Sequence, residues 1–324
     1  MLAEVLAALQ PAEGEVYLDG TLGAGGYSRA ILDAAPCRVI ALDRDPSAIA
    51  GAAELSKKYG DRLSLVQSTF SAMKEVVSAH GLQHVNGVVL DIGVSSMQID
   101  EAARGFSFMR EGPLDMRMSQ SGPSAADHVN SLEQNDLSRV IFILGEEPRA
   151  RAIARAIVAA RTEHPLMTTL DLVRAIERAT GPQRAKERTH PATRTFQALR
   201  VLVNAELNEL ASALCAAEEI LAAGGRLVVV TFHSLEDRIV KRFFTLRAGK
   251  QGAPSRHQPE RTAKHQPSFD LLRTGHTAAS EGEIAGNPRS RSAKLRSAIR
   301  NANPAWPPAF EGIAVPHIGG GLLA

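Results

Sequence analysis

The stretch VYLDGTLGAGGYS, residues 16–28, decides the fold. VYLDG (16–20) is a short apolar strand that closes on Asp19 and Gly20, and Tyr27 opens a helix that reaches Ala34. Between them lie Gly23, Gly25 and Gly26. Glycines there let the backbone turn sharply and approach a ligand closely, and the helix start offers free N–H groups. A dinucleotide fingerprint would be G-x-G-x-x-G. Here Tyr27 and Ser28 follow the paired glycines, so the third glycine is out of place. The loop therefore suits a nucleoside-type cofactor without a pyrophosphate better than a nicotinamide dinucleotide. A plain turn cluster is the competing reading.

Working outward, CRVIALD (37–43) is a second strand, and Pro46 opens a helix to Lys58, since proline does well in a first helical turn. LSLVQSTF (63–70) is a third strand, Ser71–His80 a helix, and VNGVVLDIGV (85–94) a fourth strand. Strands this apolar, separated by helices, predict a parallel sheet buried on both faces. The pattern then changes. Residues 104–195 show no convincing strand but hold helical stretches near 124–131, 133–144, 147–162 and 168–180. One long helix, Phe196–Ala223, is expected to stop at Gly224-Gly225, after which RLVVVTF (226–232) resumes the sheet. A polar run rich in Gln, Pro and His after Lys250 reads as a loop, and two more strands fall near 268–273 and 293–299. The expectation is an α/β protein whose main domain spans 1–103 and 196–324, with an inserted helical subdomain over 104–195.

Composition narrows the class. The chain has 324 residues, 44% hydrophobic and 22% charged, which is ordinary for a globular protein with a sizeable core. Its two cysteines, Cys37 and Cys215, lack metal-ligand spacing and argue for a reducing compartment. Residues 1–10 are apolar but short, carry no basic leader and run into Pro11, so neither a signal peptide nor a membrane span is expected there. The predicted location is the cytoplasm, with no membrane partner. Charge is unevenly spread: residues 1–103 hold 7 Lys/Arg against 13 Asp/Glu, or −6, while 226–304 hold 15 against 6, or +9. Such asymmetry fits a C-terminal part that faces a polyanion, the alternative being a solvated basic surface.

Chemistry-bearing residues gather at the strand ends. Asp43, about 20 positions past the glycine loop, is placed to take both hydroxyls of a ribose in charge-assisted hydrogen bonds. Phe70 can lie against an adenine face or simply close the core. Asp91 follows a buried run in which an unpartnered carboxylate is costly, and Ser95-Ser96 come just after it. His233, Ser234, Glu236 and Asp237 end the fifth strand and invite a hydrolase reading, but no G-x-S-x-G elbow precedes them. Arg289, Arg291, Lys294 and Arg296, spaced by small polar residues, suit phosphate contacts.

Taken together, DGTLGAGGYS, ALDRDP, LDIGVSS, RGFSF with PLDMRM, TFQALRVLVNAEL, TFHSLEDR and NPRSRSAKLR closely resemble the motifs of one family, in its order, from about residue 4 to 300. That family is the bacterial 16S ribosomal RNA cytosine-N4 methyltransferases of the MraW type. The resemblance implies a Rossmann-like S-adenosylmethionine-dependent methyltransferase domain carrying the helical insert. It also implies methylation of a cytidine in the decoding region of small-subunit rRNA, as naked 16S rRNA or within a particle. Carried over by motif, the cofactor pocket is Gly25, Gly26, Tyr27, Asp43, Phe70, Asp91 and Gln98, with Gly23 added from the loop itself. Arg238, Arg289, Arg291 and Lys294 are the expected RNA contacts. Two departures stand out. Tyr27 occupies a position where the family usually has His, and Met1 falls within the region where it carries a His-x-Pro-Val-type segment.

A sulfonium methyl is already activated, so no metal is expected. Asp91 and Ser95 are the candidate acceptors for the amino group of a base that must first be unstacked. Two rival functions are an NAD-dependent oxidoreductase, opposed by the misplaced glycine, and a non-catalytic RNA-binding protein that retains the fold. The oligomeric state is left open, a homodimer included.

Overall fold

The computed structural model describes residues 1–182, 190–250 and 265–319. The polar run read as a loop after Lys250 lies largely outside them. The chain forms two compact units, one of residues 1–93 with 207–315, the other of 94–206 with 316–324. The expected insert, 104–195, lies wholly inside the second unit, whose limits are wider than the strand-free stretch of sequence.

The first unit begins with α1 (Leu2–Leu9), β1 (Val16–Asp19), α2 (Gly26–Ala34), β2 (Arg38–Asp43), α3 (Pro46–Gly51), α4 (Ala53–Tyr59), β3 (Leu63–Gln67), α5 (Met73–Ala79) and β4 (Val85–Asp91). The second unit supplies α6 (Ser96–Asp100), α7 (Ala125–Ser131), α8 (Gln134–Gly145), α9 (Ala150–Glu163), α10 (Thr169–Thr180) and α11 (Thr193–Val203). The first unit then resumes with α12 (Glu206–Ile220), β5 (Leu221–Thr231), α13 (Ser234–Arg247), β6 (Phe269–Leu271), β7 (Thr277–Ala278), α14 (Glu281–Gly286) and β8 (Lys294–Arg300). Among the described residues no helix is long and apolar enough to cross a membrane.

The sheet order is β3-β2-β1-β4-β5-β8-β6, with β7 paired to β8. Strands β3 to β5 are all parallel. β8 runs antiparallel to β5 and to β6. A reversed strand between two parallel ones departs from the all-parallel dinucleotide order 3-2-1-4-5-6, which further weakens the nicotinamide reading. The apolar strands read from sequence fill this sheet: β1 is buried throughout, and Val88, Val89 and Leu90 of β4 are inaccessible. Strand order reverses between β1 and β4, and in open α/β sheets ligands bind beyond the carboxyl ends of the strands at such a point. Asp19, Asp43 and Asp91 stand at the ends of β1, β2 and β4.

In the second unit, Leu137 and Ile141 of α8, Ile153 and Ile157 of α9, Leu172 and Ile176 of α10, and Phe196 and Leu199 of α11 share one buried core. Their three-to-four-residue spacing is the helical stripe that the sequence displays.

Two helix expectations are corrected. Pro46–Lys58 is divided at Ala52 into α3 and α4. Phe196–Ala223 is not continuous: α11 ends at Val203, Ala205 takes φ 48°, and α12 starts at Glu206. Asn204 makes the break worthwhile. Its buried side chain accepts the Met118 N–H at 2.9 Å and donates to the carbonyls of Met116 at 2.8 Å and Arg200 at 2.9 Å. Gly224-Gly225 do not stop a helix either. They lie in a bulge of β5, where pairing steps from Val85–Leu221 to Gly87–Arg226.

Candidate active site

The glycine loop is built as the sequence predicts, and two of its glycines are required. Gly25 sits at φ 76° at the start of α2, and a Cβ there would lie 2.6 Å from Leu55 Cδ2. Gly20 leaves room at the end of β1 for Leu90 and Phe70, whose Cβ would be 3.2 Å from an added Cβ. This places Phe70, the first residue of a 3-10 turn after β3, beside the loop. Nothing lies within 4 Å of where a Cβ on Gly26 would stand, so the backbone there is open to a ligand.

Asp43 is tied into the loop. One carboxylate oxygen accepts the Gly23 N–H at 2.8 Å and the other the Asp45 N–H at 2.8 Å. Burial pushes its pKa up, and these two bonds pull the other way. Each oxygen keeps a lone pair, so a ribose hydroxyl can still be accepted.

The centre of the site is a cluster of carboxyl groups. Asp19 is inaccessible; Ser28 Oγ donates to one oxygen at 2.7 Å and the Thr21 N–H to the other at 3.1 Å. Thr21 Oγ1 in turn accepts the Asp91 N–H at 2.7 Å, linking the ends of β1 and β4. Burial raises Asp19 to about 6. Asp91 is raised further, to about 7, first by burial and then by the charges of Asp19 and Glu236. The N-terminal ammonium and a hydrogen bond from the Tyr27 hydroxyl oppose that rise. Asp91 Oδ1 is buried and accepts no hydrogen bond among the described residues. The Tyr27 phenol is itself pushed up by burial and stays protonated, so it donates.

Glu236, which the sequence offers only within the hydrolase reading, belongs to this site through its charge on Asp91. It is inaccessible, and its Oε2 accepts the N–H groups of Phe232 at 2.8 Å and His233 at 3.2 Å. The signal is present in H-S-L-E, a capping pattern at the start of α13. His233 Nε2 lies 2.9 Å from Glu236 Oε1. The hydrolase reading fails on Asp237, which is committed to Arg296 at 2.8 Å and Lys294 at 3.3 Å.

Not every expected residue joins this cluster. Ser95 and Gln98 belong to the second unit, where they cap α6 reciprocally: the Ser95 N–H donates to Gln98 Oε1 at 3.0 Å, and the Gln98 N–H to Ser95 Oγ at 3.2 Å. The Ser95 hydroxyl is thus engaged as a helix cap. Of the four expected RNA contacts, Arg238, Arg289 and Arg291 are exposed. Lys294 is half-buried against Asp237, where its charge is largely neutralised.

An open α/β sheet with a Cβ-free loop and carboxyl groups gathered at its switch point suits a cationic nucleoside ligand. S-adenosylmethionine, with its ribose, ammonium and sulfonium, fits these acceptors, and the buried Asp91 Oδ1 has no partner among the described residues. The MraW methylase family model matches residues 1–301. The chain is 55% identical over 307 residues to the ribosomal RNA small subunit methyltransferase H of Maricaulis maris, covering 94% of this chain and 91% of that one. It is 54% identical over 325 residues to the protein of the same name from Parvibaculum lavamentivorans, covering 99% and 95%. The chain belongs to the MraW methylase family. It is accordingly a methyltransferase, with S-adenosylmethionine as its methyl donor.

Proposed function

We propose that this methyltransferase acts on the exocyclic N4 amino group of a cytidine in the decoding region of small-subunit (16S) rRNA, in the cytoplasm, on naked RNA or an assembling particle. The names of its relatives support the rRNA part. The motif resemblance supports cytosine N4. The observation that carries the chemistry is Asp91, a carboxyl group at a strand end with one buried oxygen awaiting a donor.

Cytosine's amino nitrogen is a poor nucleophile because its lone pair is delocalised into the ring. Bound S-adenosylmethionine supplies a methyl group already activated on sulfur. The protein's task is to orient the amine, and alignment alone can supply roughly 7–11 kcal/mol. As a carboxylate, Asp91 accepts a hydrogen bond from the amino group, which localises the nitrogen lone pair, and then takes the proton that methylation releases. The Tyr27 hydroxyl favours the ionised form of Asp91, whose buried Oδ1 has no partner among the described residues. Asp43 receives the ribose, Phe70 the adenine, and Gly23, Gly25 and Gly26 the backbone approach.

Mass spectrometry of 16S rRNA from cells with and without the gene tests the reading. One cytidine should lose a single methyl mass on N4 when the gene is absent. An unchanged methylation map would refute the substrate. Measurable binding of S-adenosylmethionine by the purified chain counts against a non-catalytic RNA-binding protein.

A further inference from the structure

We propose that the exposed face of α13 is a track for the RNA strand, with Lys241 and Arg242 as backbone-contacting residues beside Arg238. The inference rests on the reading of the substrate as RNA. α13 starts where β5 ends, and its first turn is anchored by Glu236, which accepts the N–H groups of Phe232 and His233. β5 pairs with β4 so that Val230 stands opposite Asp91. The helix therefore leaves directly from the site. Its orientation is fixed by Leu235, Ile239, Val240, Phe243 and Phe244, all buried. Arg238, Lys241 and Arg242, spaced at i, i+3 and i+4, consequently share the outward face, and all three are exposed.

The acidic residues at the start of α13 do not reach Lys241 or Arg242. Glu236 points inward, and Asp237 is held by Arg296 and Lys294. Lys241 and Arg242 make no ion pair or side-chain hydrogen bond among the described residues. The bond from Lys294 to Asp237 also brings the start of β8 against α13, and the exposed Arg291 lies three residues before Lys294. Two uncompensated cations on a helix leading from a site that must receive an unstacked base suit a phosphate backbone better than an acidic peptide, because phosphates recur along the strand whichever base is presented.

The test is fluorescence anisotropy with a labelled single-stranded fragment of small-subunit rRNA at several salt concentrations. The wild type is compared with Lys241→Ala/Arg242→Ala and with Arg151→Ala/Arg155→Ala, which removes two exposed arginines from α9 in the other unit. Each phosphate contact on a single strand adds about 0.7 to the salt slope, so the α13 variant should lose about 1.4. Between 50 and 200 mM salt its affinity should then fall about sevenfold less than that of the wild type. S-adenosylmethionine affinity by calorimetry should be unchanged, which shows that the variant is folded. A wild-type slope in the α13 variant, or an equal loss in the α9 variant, overturns the track. Absence of salt-dependent RNA binding by the wild type would instead overturn the substrate reading beneath it.

Discussion

Replacing Asp91 by Asn separates what the site costs the fold from what it does for the ligand. The Asp91 carboxyl is raised from 3.8 to about 7, chiefly by burial. A raised acid is content while protonated, so its contribution to stability is intact below pH 3.8 and is lost as pH rises to about 7. Slightly more than three units at about 1.4 kcal/mol each set a ceiling of roughly 4 kcal/mol, and water reaching this incompletely buried residue brings it nearer to 2. Asn keeps the shape and cannot ionise. The variant should therefore match the wild type near pH 4 and exceed it by roughly 2–4 kcal/mol at pH 8, measured by urea unfolding across the range. Asp19, raised to about 6, adds a similar slope below pH 6 to both proteins and cancels in the difference. A cationic cofactor should restore the lost ionisation: at pH 7 its binding to the wild type should release about half a proton from Asp91. Calorimetry in buffers of different ionisation enthalpy reads that release, and Asp91→Asn should abolish it. Parallel stability curves from pH 5 to 8, together with equal proton release in both proteins, would refute the account.

Other outcomes follow from the same geometry. Asp43→Ala should weaken S-adenosylmethionine binding by about 1.5–3 kcal/mol, the range for hydrogen bonds to a charged group, and calorimetry showing full affinity in the folded variant would remove Asp43 from the ribose site. Tyr27→Phe removes a bond that favours the Asp91 carboxylate, so the acidic limb of the pH–rate profile should move to higher pH, and Tyr27→His should move it back by restoring a donor. A limb that stays in place in the Phe variant would deny Tyr27 this role. Gly25→Ala, at φ 76° and facing Leu55, should cost more than about 1 kcal/mol, visible as a lowered unfolding midpoint. Asn204→Ala strands the buried Met118 N–H and should destabilise the helical unit by roughly 1–3 kcal/mol in chemical denaturation.

The residues that are legible in the sequence are those whose role follows from local chain geometry. A buried apolar run must end somewhere, and the polar residue at its end stands at a strand terminus. This is why Asp19, Asp43 and Asp91 can be placed from the amino-acid order alone. The helical stripes of α8, α9 and α10 are visible for the same reason. The break at Asn204 is not, because its cause is distant in sequence: the side chain satisfies Met116 and Met118, far upstream. Leu199, Leu202 and Leu207 keep an apolar pattern across the break, so periodicity alone runs on through it.

Charge is the least legible property, since a sequence counts ionisable groups and cannot say which of them meet. Lys294 and Arg291 look alike in NPRSRSAKLR, yet Asp237, 57 residues before Lys294, claims the lysine. The surplus of +9 over residues 226–304 therefore does not lie where the densest basic motif suggests. Part of that motif holds β8 to α13 through Asp237, and the exposed cations of α13 itself come from a segment that draws attention mainly for His233 and its neighbours. The Asp91 environment follows the same logic. Its burial is inferable from the run before it, but the charges of Asp19 and Glu236 that raise it further come from distant segments that only the fold brings together.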